Sequence, residues 1–461
     1  MSTGKCTNIL DIAYEEYFSL LDEYFKGIYM PGIDKNLQAN YIAHMKKAAQ
    51  VILISLDDIA QDISEFWGKY AEPVLSYVRY NSAFKALYCG SISPLKGQQF
   101  VKRTAMYVDS ILIEDPITTI VNMKDLSTDN SYLIRMIRHA FNLMDLKELF
   151  FGQGDFPILT IFPSFIDENT RQAIVKGVHQ NGLTYFSELF ELNFTDIEDF
   201  FDHLKTYNDP KKFYKIIKHP EMLPKPSNQS TFDFINEVHQ SISRDRKDTK
   251  DITVGIALGL KILGQLTGIG INLFQSKNLH SQLVFDSENY WKIYRWDLSE
   301  QKKDPDVDNL IVNSLNLEQF DWLGNVPIDK LVLLRREGEL SKIREILRKN
   351  IYSCTHSDGD LKVSAQQAMK NIEASLREHS KQVTEIEKSL KKKYLIDGPI
   401  VIGGLLTGVF SGPLSPISLA GLAFSLYGGY DWFKNILATN KAKKEIESGI
   451  FGMLLKAKNK E

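Results

Sequence analysis

The chain has 461 residues, 43% of them hydrophobic and 25% charged, which is the composition of a globular protein with two or three domains. Its three cysteines, Cys6, Cys89 and Cys354, are far apart and odd in number. This pattern argues against a disulfide framework and favours a reducing compartment. Because no apolar stretch precedes the first acidic residues, we see no secretory signal and expect a cytoplasmic protein.

The net charge of −3 conceals an asymmetry along the chain. Residues 361–461 carry 15 basic and 9 acidic side chains, a net charge of +6, which leaves −9 for the first 360 residues. An anionic membrane surface attracts such a basic region by about 1 kcal/mol per lysine or arginine. The alternative is that these lysines only solvate helix surfaces.

The first hundred residues are predicted to be helical. Thr7 or Asn8 is a suitable cap for an apolar-periodic helix that stops at Gly27. Further apolar-periodic stretches cover residues 36–65 and 73–87.

Beyond this helical start, the period of the apolar pattern changes. Two short apolar runs, at residues 110–116 and 157–162, end in turn-forming residues and predict buried strands. Thr195 followed by Glu198 forms a capping box and predicts a helix start. Residues 1–205 are therefore predicted to form an α-rich domain with short strands.

A proline- and lysine-rich stretch follows, and it makes residues 206–250 the best candidate for a linker or exposed loop. The next apolar stretch is interrupted only by Lys261. We predict a buried helix over residues 252–267 and a strand over 270–274. A membrane span is the alternative, although a lone charge at its centre costs about 3 kcal/mol in lipid. Residues 289–298 predict an edge strand.

Residues 1–355 are predicted to form the main body of the protein. Within it, residues 251–355 are an α/β continuation that ends in a helix over 325–347. Residues 360–461 are predicted to form a helical module that opens with a long helix over 362–394. The three-four spacing of apolar residues in this helix is typical of a heptad seam, so we expect self-association or a protein partner. The seam consists of Met369, Ile372, Leu376, Val383, Ile386 and Leu390.

The most unusual feature of this module is a run of 33 residues, 398–430, without one charged side chain and with eight glycines and three prolines. A turn over residues 411–416 divides the run into two apolar halves. As a helix, each half is about 20 Å long, too short for a hydrocarbon core about 30 Å thick. We predict a glycine-rich apolar hairpin. Its residues are Gly403, Gly404, Gly408, Gly412, Pro413, Pro416 and Trp432, with the basic flanks Lys391, Lys392, Lys393 and Lys434.

Three arrangements of the apolar hairpin are compatible with the sequence. A re-entrant or shallow hairpin enters one membrane face and keeps both lysine-flanked ends on the same side. A single kinked span passes through the prolines. In the third arrangement, the hairpin is hidden inside the fold or in an oligomer interface, where glycines allow close backbone packing.

The sequence contains no P-loop, no H-E-x-x-H and no G-x-S-x-G motif, and we predict no cofactor, no metal and no specific nucleic-acid partner. The predicted fold is mainly α with a minor β-sheet. We expect a non-enzymatic protein that acts or docks on an anionic membrane at its inner face. One version is a toxin-like effector of bacterial antiviral defence that inserts the hairpin when triggered. One alternative is a soluble enzyme or nucleic-acid-processing protein whose glycine-rich hairpin forms an oligomer core. A third option is a scaffold that self-associates through the heptad helix.

Overall fold

The computed structural model describes residues 8–29, 39–90, 94–122, 131–151, 156–226, 229–245, 252–303, 307–315 and 324–336, together with residues 344, 345 and 370. The chain divides into two compact units. One comprises residues 1–100 and 108–316, and the other comprises residues 101–107 and 317–461. Apart from Lys370, the predicted heptad helix lies outside the described residues, as does the apolar hairpin.

The described residues form fourteen α-helices and one four-stranded sheet, which confirms the prediction of a mainly α protein with a minor β-sheet. The helices are α1 (Ile9–Phe25), α2 (Ala39–Ile54), α3 (Leu56–Tyr80), α4 (Pro94–Ala105), α5 (Pro116–Val121), α6 (Ser131–Asp145), α7 (Glu168–Phe190), α8 (Ile197–Lys205), α9 (Pro210–Ile216), α10 (Thr231–Asp245), α11 (Val254–Leu279), α12 (Glu288–Glu300), α13 (Val307–Ser314) and α14 (Ile328–Arg336). The strands are β1 (Lys85–Cys89), β2 (Ser110–Glu114), β3 (Leu159–Phe162) and β4 (Ser281–Phe285).

Helix α1 begins where the sequence predicts it. The side chain of Asn8 accepts a hydrogen bond from the backbone N–H of Leu10 at 3.1 Å and so caps the helix. Tyr14, Tyr17 and Phe18 lie on its buried face. Burial of each ring stabilises the body by about 2 kcal/mol, and together they anchor α1 against its neighbours.

The prediction of a separate helical stretch over residues 73–87 is wrong, because most of this stretch belongs to α3. The helix continues through Pro73 to Tyr80. A proline inside a helix costs about 3 kcal/mol, but the buried stripe that includes Trp67 and Val74 continues on both sides of it and offsets this cost. Residues 85–87, the end of the predicted stretch, belong to β1 instead.

The four strands are all parallel, in the order β3-β2-β1-β4. The strands predicted at residues 110–116 and 157–162 are confirmed as β2 and β3. The sequence did not predict β1 or β4. Every residue of β1 is buried, so its side chains do not alternate between apolar and polar, and so short an apolar run cannot be distinguished from a piece of helix.

Helix α11 is continuous over 26 residues, so the prediction of a strand over residues 270–274 is wrong. Thr253 caps its start, and His280 ends it in the left-handed conformation with φ 50°. The predicted break around Gly270 is absent. This glycine does not end the helix but allows α7 to pack closely against it. A Cβ at Gly270 would lie 3.0 Å from the side chain of Ile174.

The same helix is the one candidate membrane span among the described residues, and 56% of its apolar window is buried inside the protein. Two of its glycines lie against α8. A Cβ at Gly255 would lie 2.6 Å from the backbone oxygen of Leu204, and one at Gly259 would lie 3.0 Å from the side chain of Leu204. This close packing is that of a buried core helix, as the sequence analysis preferred.

Residues 289–298 form helix α12 and not the predicted edge strand. Trp291, Tyr294 and Leu298 are buried and follow helical spacing. The strand was predicted because the segment is rich in aromatic residues. The aromatic side chains pack on the last residue of β4, since the rings of Tyr294 and Phe285 lie 5.1 Å apart.

The segment 206–250, predicted as a linker, contains α9 and α10 and contributes to the core, because Phe213 and Leu223 are fully buried. Helix α8 begins close to the predicted capping box. Its cap is Asp196, whose side chain accepts a hydrogen bond from the backbone N–H of Asp199 at 2.8 Å.

In the unit that comprises residues 101–107 and 317–461, the described residues include the end of α4 and the whole of α14. The helix begins directly after Pro327, as predicted, and Leu331 is buried. The rest of the helix predicted over residues 325–347 lies outside the described residues, except for residues 344 and 345.

Candidate ligand site at the carboxyl edge of the sheet

The residues that the sequence analysis assigned to the hairpin, its basic flanks and the heptad seam lie between Met369 and Lys434, outside the described residues. The structure therefore neither brings them together nor separates them. Among the described residues, a different place has the geometry of a site. It is the edge of the sheet at which the parallel strands end.

The strand order creates a crossover at this edge. From β1 the chain moves outward to β2 and β3, and it then returns to form β4 on the opposite side of β1. In open parallel sheets, ligands bind outside the carboxyl ends of the two strands at which the direction of winding changes. Here these strands are β1 and β4.

The ends of β1 and β4 meet through Gly90 and Asp286, which directly follow the paired residues Cys89 and Phe285. Gly90 has φ +154°, and a Cβ there would lie 2.3 to 2.9 Å from the carboxylate atoms of Asp286. Only glycine allows the backbone to approach this carboxylate so closely. The hydroxyl of Tyr88 donates a hydrogen bond to Asp286 Oδ2 at 2.6 Å and holds the carboxylate at the edge.

Cys89 is not a nucleophile in this arrangement. Its side chain is 1% exposed, and burial, reinforced by the charge of Asp286, raises the pKa of its thiol far above the ordinary value. Asn272 of α11 donates a hydrogen bond to Cys89 Sγ at 3.2 Å and another to the carbonyl of Gly268 at 2.7 Å. The thiol therefore acts as a contact between β1 and α11.

A second side chain of α11 reaches the end of β2. Gln275 is fully buried, and its Nε2 donates a hydrogen bond to Oε2 of the half-buried Glu114 at 2.9 Å. Among the described residues, the other amide atom, Oε1, has no hydrogen-bond partner. A buried amide oxygen without a partner costs about 1–3 kcal/mol, so it requires an explanation.

The carboxylate next to Glu114 has a structural role. Asp115 is fully buried and accepts hydrogen bonds from Tyr17 Oη and Trp67 Nε1, both at 2.7 Å. It also caps α5 by accepting from the backbone N–H of Ile117 at 2.9 Å. Because these donors fill its acceptor positions, Asp115 is not available to a ligand.

Within the described part of the chain, no group of three or more histidine, cysteine, aspartate or glutamate side chains has the geometry to hold a metal ion. The carboxyl edge is instead rich in hydrogen-bond acceptors. They are the carboxylates of Glu114 and Asp286 and the amide oxygens of Asn272 and Gln275.

These residues were not predicted from the sequence. The acidic end of β2 was visible in the sequence as Glu114 and Asp115, within the correctly predicted strand over residues 110–116. Asp286 was not recognised because β4 was not predicted. Asn272 was placed in a strand that does not exist, so its position on the same face of α11 as Gln275 was hidden.

The fold defines a class, that of a mainly α protein built around a small parallel sheet with a crossover. No family model matches this chain, and no curated protein or solved structure is detectably similar to it. For this reason we infer its function from its own residues and geometry.

Proposed function

We propose that this chain is a non-enzymatic protein that docks on an anionic membrane from the cytoplasmic side through residues 360–461. The observation that carries the proposal is the uncharged run 398–430 between Lys393 and Lys434. A short apolar hairpin with lysines on both flanks enters a membrane face while its ends stay on the anionic side.

The body supports the assignment of membrane contact to this hairpin. Its one candidate span among the described residues, α11, packs against α7, α8 and α10. Lys261, near the middle of its apolar part, is half-buried, and burial lowers the pKa of its amino group. A helix that is already committed to packing is a poor membrane anchor, so the hairpin is the better one.

In one version of the proposal, the protein is a toxin-like effector of antiviral defence. It keeps the hairpin away from lipid until a trigger acts, and it then inserts the hairpin and permeabilises the membrane. The heptad seam would gather several chains, so that their hairpins enter the membrane together.

Flotation of the full chain with vesicles tests the proposal. At low salt we expect the protein to float with vesicles that contain phosphatidylglycerol and to stay in solution with pure phosphatidylcholine. Gly408→Asp places a charge inside the hairpin and should abolish flotation, because a charge in the hydrocarbon region costs about 3 kcal/mol. The matched control is Gly177→Asp at an exposed position of α7, which should float like the unmodified chain.

Two outcomes would contradict membrane docking. The first is a chain that stays in solution with anionic vesicles at low salt. The second is a Gly408→Asp variant that floats unchanged. If the chain forms an oligomer in solution that Gly408→Asp dissociates, the run 398–430 forms an oligomer core, as the alternative arrangement predicts.

A further inference from the structure

The acceptor-rich carboxyl edge is not used by the proposed membrane docking. Gln275 is the most informative residue there, because its side chain is fully buried and its Oε1 has no partner within the described part of the chain. The two terminal atoms of one amide are neighbours, so this oxygen lies beside Glu114, which accepts from Gln275 Nε2 at 2.9 Å. A partner for this oxygen must therefore approach at the end of β2.

Helix α11 forms a wall beside this edge. Gly264, Gly268, Asn272 and Gln275 are three or four residues apart and share one helix face. The last two contact Cys89 and Glu114 at the strand ends. A Cβ at either glycine would have no neighbour within 4 Å among the described residues. As far as the described residues show, the wall thus continues from the strand ends past two uncovered glycines, where a ligand can lie against bare backbone.

The charge at this edge selects the kind of ligand. The polar groups are the carboxylates of Glu114 and Asp286 and the amides of Asn272 and Gln275. Dinucleotide-binding sheets place a phosphate next to the glycine turn after the first strand. Here the carboxylate of Asp286 lies against Gly90 in that place, and it would repel a phosphate. The site therefore suits an uncharged ligand with several hydrogen-bond donors.

We propose that the carboxyl edge binds a ribonucleoside through its vicinal ribose hydroxyls, which donate hydrogen bonds to the Glu114 carboxylate and to Gln275 Oε1. An acidic side chain after the second strand takes ribose hydroxyls in the same way in other parallel sheets. The half-buried rings of Phe165 and Phe274, 6.3 Å apart, lie beyond the end of β3 and offer an apolar surface for the base. The proposal does not depend on membrane docking.

Titration calorimetry and thermal unfolding of the full chain with adenosine and uridine test this site. We expect both nucleosides to bind and to raise the unfolding temperature, and 2′-deoxyadenosine to bind at least about tenfold more weakly than adenosine, because one of the two ribose hydrogen bonds is lost and its acceptor stays unpaired. AMP should bind more weakly than adenosine. Absence of binding by both nucleosides at millimolar concentration, or tighter binding of AMP, would overturn the proposal.

Variants locate the binding site. Glu114→Gln keeps the shape of the side chain but removes its charge, and it should weaken adenosine binding about tenfold. Glu198→Gln, at an exposed position of α8, is the matched control and should bind adenosine like the unmodified chain. Equal weakening in both variants would exclude the carboxyl edge. The comparison of adenosine with 2′-deoxyadenosine uses the unmodified chain, so it decides the proposal even if Glu114→Gln fails to fold.

Discussion

At the carboxyl end of β2, a single carboxylate organises the contacts of three helices. Asp115 accepts hydrogen bonds from Tyr17 of α1, from Trp67 of α3 and from the first turn of its own helix, α5. Asp115, Tyr17 and Trp67 are all buried. A buried charge is tolerated only when such hydrogen bonds replace its hydration, so Asp115 and its donors depend on one another.

We predict that Asp115→Ala lowers the free energy of unfolding by about 3 kcal/mol or more, because the donors of Tyr17 and Trp67 stay buried without an acceptor. Urea unfolding measures this loss. Asp196→Ala is a suitable control, since Asp196 is an exposed cap of α8 and its loss should cost only about 1 kcal/mol. Equal losses in the two variants would show that the buried hydrogen bonds contribute little.

At the scale of elements, α11 connects most parts of the larger unit. It packs against α7, α8 and α10, and it also contacts β1 and β4. Its glycines serve two different purposes. Gly255 allows the backbone of α8 to approach, whereas Gly264 is exposed and has no described neighbour. Two glycines of one helix can therefore be compared directly.

We predict opposite effects for the same substitution at these two positions. Gly255→Ala should destabilise the protein by about 2 kcal/mol, because the new methyl group would lie 2.6 Å from the backbone oxygen of Leu204. Gly264→Ala should stabilise it by up to about 1 kcal/mol, because alanine has the higher helix propensity. Thermal and urea unfolding of both variants would test this. Destabilisation by Gly264→Ala would mean that this position is also closely packed.

The elements that the sequence predicted are those with a strong local signal. The cap of α1, the strands β2 and β3 and the proline at the start of α14 each have a signal in neighbouring residues of the sequence. β1, β4 and α12 were missed because their type depends on burial by distant elements. The carboxyl edge was unpredictable for the same reason. It joins Glu114, Asn272, Gln275 and Asp286, which are brought together only by the order of the strands.

At the scale of the whole molecule, charge separates the two functions that we propose. The first 360 residues have a net charge of −9, and residues 361–461 have a net charge of +6. An anionic membrane repels the acidic part and attracts the basic part. In the proposed docking on a membrane, this distribution would orient the chain with residues 361–461 toward lipid and leave the acidic part, which contains the candidate ligand site, in water.

This orientation predicts that binding to anionic vesicles depends more on where a lysine lies in the chain than on the total charge. Replacement of Lys391, Lys392 and Lys393 by glutamine should weaken binding to anionic vesicles by about 1 kcal/mol per lysine, a loss on the order of 100-fold. Replacement of Lys211, Lys212 and Lys215, three exposed lysines of α9, removes the same charge from the body and should change binding far less.

Vesicle sedimentation over a range of salt concentrations measures both triple variants. The affinity of the unmodified chain should fall as the Debye length shrinks from about 10 Å at 0.1 M salt to about 3 Å at 1 M, and the difference between the two variants should shrink with it. If both variants lose affinity equally at low salt, long-range attraction of the whole molecule explains binding. In that case the lysines next to the hairpin have no special role in placing it on the membrane.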